Sequence, residues 1–271
     1  MRNIAFIGVT AVLAACGGGS NNNNNGSGGL KTFNYGSPQT PNTAQQNTAS
    51  NTQTAMNSAV NASVNGQVSS AASLPTLTDS LAGSLPSSIV TMPADAALTS
   101  GRHSELLAAR HSGALSQGCY SISNSTITYN NCTTSSTGFS ETLNGTETVS
   151  GSTITWNLTV VWNYSGSGIT ENGTYTWSGQ LTVTSTSLKG LGRSTANGHL
   201  VSGGTTYDFQ YTTGFDADLV YQTNPFCISG GTLEVRRTLN SSSNAGAAPV
   251  HDAGAKYTWT GCNVVQVATS T

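Results

Sequence analysis

From Cys119 to the end of the 271-residue chain, apolar and polar positions alternate with a period of two. The pattern is cleanest over 153–164. There Ile154, Trp156, Leu158, Val160, Trp162 and Tyr164 share one face, and Thr153, Thr155, Asn157, Thr159 and Asn163 share the other. Over 173–187, Tyr175, Trp177, Leu181 and Val183 alternate in the same way with Thr174, Thr176, Ser178, Thr182 and Thr184. One buried and one solvated face is the pattern of antiparallel sheet. The same reading predicts strands over 187–193, 197–202, 205–212, 216–223, 231–240, 256–260 and 262–268, with turns at Gly203-Gly204 and Gly230-Gly231. Strand follows strand with short connections. The expected fold is all-β: an antiparallel meander of about ten strands, forming a strongly curved sheet or an up-and-down barrel.

Residues 139–150 contain Asn144-Gly145, a strong hairpin signal. A turn there leaves two short arms beside a long neighbour. A turn at Gly151-Ser152 instead sets Val149 against Ile154, Leu143 against Val160 and Phe139 against Tyr164. Val149, Leu143 and Phe139 then each meet an apolar partner. Gly145 falls opposite Leu158, where a missing side chain admits a bulky neighbour. One long strand is the better reading.

Upstream of the sheet, Met56, Val60, Val64 and Val68 step by four, a spacing that predicts a helix over 52–72. Leu77, Leu81 and Leu85 repeat the step before Pro86. Ser104 is a candidate N-cap for a third short helix over 104–110. Residues 17–55 are rich in Gly, Asn, Ser, Thr and Gln, with a run from Asn21 to Asn25. Such a segment buries too little apolar surface to offset its ordering entropy, so it reads as a flexible linker with a reach of about 35 Å. The expected organisation is a signal peptide over 1–15, a tether over 16–55, a helical neck packing on the sheet over 56–117 and the β domain over 118–271.

Met1-Arg2-Asn3 is a short cationic start, and the apolar run from Ile4 to Leu13 is too short to remain as a membrane-spanning helix. Leu13-Ala14-Ala15-Cys16 closes that run and resembles the lipobox of bacterial lipoproteins. The resemblance covers only the first 16 residues. It implies cleavage before Cys16, a diacylglyceryl group on the Cys16 thiol and, usually, an acylated new N-terminus. Two or three acyl chains anchor stably where a single chain does not. Gly17 stands where Asp favours inner-membrane retention in well-studied Gram-negative lipoproteins, so the resemblance implies the outer membrane.

Charged residues make up only 7% of the chain and the formal net charge is −2, which leaves no basic patch for nucleic acid or anionic lipid. With Cys16 lipidated, Cys119, Cys132, Cys227 and Cys262 remain. Outside the cytoplasm four cysteines suggest two disulfides, and no C-x-x-C spacing offers a zinc site. A hairpin turn centred on Ser125-Thr126 sets Ile122 against Tyr129 and Cys119 directly opposite Cys132, close enough to bond. That pairing leaves Cys227 with Cys262.

Glu141 and Glu147 have the parity of the apolar face. Six residues along one strand separate them by about 20 Å, beyond the roughly 5–9.5 Å of a glycosidase pair. Arg237 shares its parity with Leu233, Val235 and Leu239. Together with the two glutamates and with Trp156, Trp162 and Trp177, it would suit a ligand cavity. The plainer reading makes the aromatics core, and has Arg237 neutralise a Glu or places these charges at strand ends near water. His103 and His111, eight residues apart, and the isolated His199 and His251 read as solvated. Asp216 and Asp218 lack a surrounding calcium loop. No G-x-S-x-G elbow, Walker A motif, G-x-G-x-x-G turn or H-E-x-x-H helix is present, so no catalytic residue, metal or cofactor is expected. The function expected is therefore an outer-membrane-anchored lipoprotein with a non-catalytic β-rich module, binding or structural. Its partners would be the membrane through Cys16 and a small hydrophobic ligand or an envelope protein. A carrier of a small hydrophobic ligand in a barrel or half-barrel is the alternative, and an envelope enzyme the third.

Overall fold

The computed structural model describes residues 30–64, 118–136, 138–166, 168–243 and 252–270. Ten strands follow one another in a single sheet. They are β1 (Tyr120–Ser123), β2 (Thr126–Ser136), β3 (Phe139–Ser150), β4 (Thr153–Gly166), β5 (Ile169–Val183), β6 (Ser187–Ser202), β7 (Thr205–Thr223), β8 (Phe226–Ser242), β9 (Ala253–Gly261) and β10 (Val264–Thr269). Every neighbouring pair is antiparallel. The meander curls without closing into a barrel, so β1 and β10 remain its two edges. The β3–β4 register pairs Val149 with Ile154, Gly145 with Leu158, Leu143 with Val160 and Phe139 with Tyr164, the register of the long-strand reading.

Several strands differ from the sequence pattern, each for a physical reason. β6 runs unbroken, although its hydrophobic alternation fades between residues 190 and 198. Its concave-face positions there are Gly190, Gly192, Ser194, Ala196 and Gly198, small residues that face large ones on β5 and β7. Trp177 stands opposite Ser194, and Tyr175 and Tyr211 flank Ala196. β7 likewise continues through Gly214, which Leu30 covers. Gly230-Gly231 is not a turn. It lies within β8 beside a bulge, where Val220 pairs with Gly230 but Tyr221 with Ile228. The β7–β8 turn is instead at Asn224-Pro225. The β1–β2 turn is centred one residue earlier than expected, pairing Ile122 with Ile127 and Tyr120 with Tyr129.

That shift leaves Cys119 opposite Asn130, whose N–H donates to the Cys119 carbonyl. A bulge with Asn131 in the left-handed region brings Cys132 back, at a Cα–Cα distance of 5.0 Å from Cys119, and the two are bonded. The expected pair therefore forms through a bulge rather than through direct opposition. Cys227 at the start of β8 is bonded to Cys262 in the β9–β10 turn.

The N-terminal segment differs most from expectation. Residues 30–55, read as part of a linker, are laid against the sheet. Leu30 covers Gly214, and the Lys31 N–H donates to Thr238 Oγ1 at 3.0 Å. Tyr35 lies over Gly254 and its hydroxyl donates to Glu234 at 2.7 Å. All of these are convex-face positions. The segment then borders β10. Tyr35 bridges to Ser270, and Gln39 exchanges backbone hydrogen bonds of 2.9 and 3.0 Å with Val267. Past that edge it enters α1 (Thr43–Val64) on the concave side.

α1 starts nine residues before the expected point because Asn42 and Gln45 form a capping box. Asn42 Oδ1 accepts from the Gln45 N–H at 3.0 Å, and Gln45 Oε1 accepts from the Asn42 N–H at 2.9 Å. Polar interior residues do not stop the helix, because its buried stripe of Ala49, Thr52 and Met56 packs into the sheet. Residues 65–72 of the expected helix, and the expected helices at 77–85 and 104–110, lie outside the described residues, as do His103, His111 and His251.

Candidate functional site

The concave face is built on two cross-strand ladders of the same composition. Glu147, Trp156, Gly179, Gly192 and Phe215 stand in register across β3 to β7. Six residues along each strand, Glu141, Trp162, Gly173, Gly198 and Phe209 form a second such row. The order is Glu-Trp-Gly-Gly-Phe in both. The glycines carry the rings: a Cβ on Gly179 would overlap Trp156, one on Gly192 Phe215, one on Gly173 Trp162 and one on Gly198 Phe209. Trp156 and Phe215 stack at a centroid distance of 6.4 Å, and Trp177 tilts against Trp156 at 5.2 Å.

All six side chains singled out as ligand candidates are therefore buried on this face: Glu141, Glu147, Arg237, Trp156, Trp162 and Trp177. None of the charged ones sits at a strand end near water. Tyr129 donates to Glu147 at 3.3 Å. Burial lowers the Arg237 guanidinium below its ordinary value, opposed by Tyr211 and Asp252. A third buried acid, Glu171, accepts from Trp162 Nε1 at 3.3 Å. The sequence reading missed it, although it shares its parity with Tyr175 and Trp177. Trp156 Nε1 has no hydrogen-bond partner among the described residues. These groups form a largely apolar interior into which α1 sends Ala49 and Met56, packed in one cluster with Ile127, Tyr129, Trp156 and Leu158.

The convex face carries polar side chains in ranks. Threonine hydroxyls meet across strands at Thr126 and Thr148 (3.0 Å), Thr133 and Thr142 (3.2 Å) and Thr153 and Thr182 (3.2 Å). Asp216 takes up Arg193 at 2.7 Å and also Arg236, which reaches Glu234 at 3.2 Å. Asp218 pairs with Lys189 at 3.0 Å. Both aspartates are thus partnered by cations.

On this convex side an open cleft of about 590 Å³ lies over β5 to β7, lined by Asn172, Thr174, Asn197, His199, Asp208, Gln210 and Ser243 around a backbone floor. Gln210 Nε2 donates to Asn197 Oδ1 at 2.5 Å, and His199 Nδ1 meets Asp208 Oδ1 at 2.6 Å. An ionised carboxylate only accepts, so Nδ1 carries the proton and Nε2 is left for another partner. Ser243 fixes Asp208 through hydrogen bonds in both directions, each of 2.9 Å. His199, read as isolated, is thus half of an ordered pair.

No family model, no curated protein and no solved structure matches this chain. Its chemistry rests on its own geometry. Among the described residues no three His, Cys, Asp or Glu side chains are grouped to hold a metal ion. No described helix is long and apolar enough to cross a membrane. Leu30, the first described residue, follows Cys16 by fourteen positions, a distance the chain can span over at most about 50 Å.

Proposed function

We propose that this chain is a bacterial cell-envelope lipoprotein, anchored at the outer membrane through Cys16, whose β domain is a non-catalytic binding module that works with its convex face. The observation that carries the binding half of this reading is the placement of α1. Its Ala49, Thr52 and Met56 are buried on the concave side, so the chain's own helix takes space that a carrier would keep for its ligand. Among the described residues, the polar convex face over β5 to β7, with its ordered cleft, is left open to partners. The two acids of β3 do not form a catalytic pair. Glu141 and Glu147 lie six positions apart on one strand, roughly 20 Å, too far to act on one bond.

The anchor rests on Leu13-Ala14-Ala15-Cys16. The position of the N-terminal segment agrees with it: residues 30–35 run over the convex face of β7 to β9, so the anchor pulls on the sheet rather than on a remote neck. Native mass spectrometry of protein extracted from its own cells separates the module from the carrier. The expected result is a mass explained by the chain, its disulfides and covalent lipid alone. A stoichiometric, non-covalently bound apolar molecule overturns the module reading in favour of the carrier.

A further inference from the structure

We propose that the convex cleft over β5 to β7 binds a neutral, polyhydroxylated ligand: a saccharide, either free or as the head group of an envelope glycolipid. The inference rests on the convex face being the binding face and names what that face takes.

The lining is amide, hydroxyl and imidazole. Asn172, Thr174, Asn197, Gln210 and Ser243 offer donors and acceptors without charge, and the one carboxylate, Asp208, is paired with His199. No lysine or arginine lines the cleft, so a phosphate or carboxylate ligand finds no counter-charge. An apolar ligand finds little to bury against, because the rings of this region turn to the concave side. A sugar, with donors and acceptors on each ring carbon, matches such a set. At about 590 Å³ the cleft falls within the roughly 300–1,000 Å³ of ligand sites.

The polar groups are also held in place before any ligand arrives. With Gln210 Nε2 bonded to Asn197 Oδ1, Gln210 Oε1 keeps its acceptor capacity and Asn197 Nδ2 its two donors. With Nδ1 committed to Asp208, His199 keeps Nε2 for a ligand. Asn197, His199, Asp208 and Gln210 stand on the paired strands β6 and β7, within a few residues of the turn that joins them, where register fixes them. The anchored segment joins the same face nearby. Leu30 covers Gly214, and Gln210 lies four residues earlier on β7, about 13 Å away. A cleft so close to the tethered segment suits a ligand displayed at the membrane surface as well as one in solution.

The test uses the full lipidated chain in detergent, with two probes. One is a panel of free neutral oligosaccharides followed by saturation-transfer NMR. The other is the same detergent micelles prepared with and without a glycolipid whose head group is uncharged. The expected result is binding of at least one saccharide, weakened roughly tenfold by Asn197→Ala or Gln210→Ala and unchanged by Thr142→Ala on the same face outside the cleft. Thr174→Val, close in shape, replaces either variant whose urea midpoint has dropped. Binding to free sugars alone assigns a soluble ligand, and binding only to the glycolipid micelles assigns the head group. No binding to either probe, or binding that the cleft variants leave intact, overturns the proposal. The lipid on Cys16 is read from the mass of the same preparation, so loss of the anchor and loss of sugar binding are separate results.

Discussion

Gly179 of β5 stands directly opposite Trp156 of β4, and the indole Cζ2 and Cη2 occupy the space a Gly179 side chain would need. The glycine is there for the ring. Gly179→Ala should therefore lower stability by about 1–3 kcal/mol, the range for overpacking a filled core. Gly230→Ala is the control: nothing stands within 4 Å of a Cβ at that position, and surface changes of this kind stay within about 0.5 kcal/mol. Urea midpoints at constant slope measure both. Equal effects at the two positions would mean that the ladder does not determine the glycine.

The two disulfides close loops of different size, with sequence separations of 13 and 35 residues. Loop-closure entropy then gives about 3 kcal/mol for the first and about 4 kcal/mol for the second. The double variant Cys227→Ser with Cys262→Ser should unfold at lower urea than Cys119→Ser with Cys132→Ser. The reverse order would show that the β1–β2 bulge is a stronger point of the fold than chain entropy allows.

The β10 edge is covered by residues 35–39, whose backbone contacts include the reciprocal pair between Gln39 and Val267. An uncovered edge is open to pairing with another chain. Deleting residues 30–39 should speed hydrogen exchange at the Val267 amide and raise the concentration-dependent association seen by size-exclusion chromatography. Tyr35→Phe, which loses only the hydrogen bond to Glu234, should cost about 0.5–1.5 kcal/mol and leave the edge protected.

Burial pushes the hydroxyls of Tyr175 and Tyr221 up to about 12 from an ordinary 10.0, with a hydrogen bond to Ser194 working slightly the other way at Tyr175. Each phenol thus holds its proton more tightly folded than unfolded. Its contribution is complete below pH 10 and is lost as pH rises towards 12. At pH 11 each should cost at most about 1 kcal/mol relative to pH 8, and Tyr221 the less of the two. Tyr221→Phe should flatten that part of the stability–pH curve, measured as urea midpoints at the two pH values. A slope unaltered in the variant would assign the alkaline loss elsewhere.

Much of the fold was legible from residue alternation, and the exceptions share one cause. On β3 and β4, Phe139, Leu143 and Val149 face Tyr164, Val160 and Ile154, so periodicity gave both the strands and their register. On β6 the concave positions are small because neighbouring strands supply the rings, and a pattern that counts apolar bulk loses such a strand. The twin ladders were hidden for the same reason: Gly173, Gly179, Gly192 and Gly198 mean nothing until the register places them beside Trp162, Trp156, Phe215 and Phe209. The helix start was readable in Asn42-Thr43-Ala44-Gln45, a capping box masked by the polar composition around it. The convex cleft was not readable at all. Asn172, Asn197 and Gln210 meet only through the pairing of three strands, and none carries a sequence motif.

The account as a whole hangs on Cys16, and the mass of the mature N-terminal peptide tests it most directly. Protein extracted from its own cells with detergent and digested should give a first peptide that begins at Cys16 and carries a diacylglyceryl group. A mature protein that begins elsewhere, or whose Cys16 is unmodified, contradicts the envelope-lipoprotein reading.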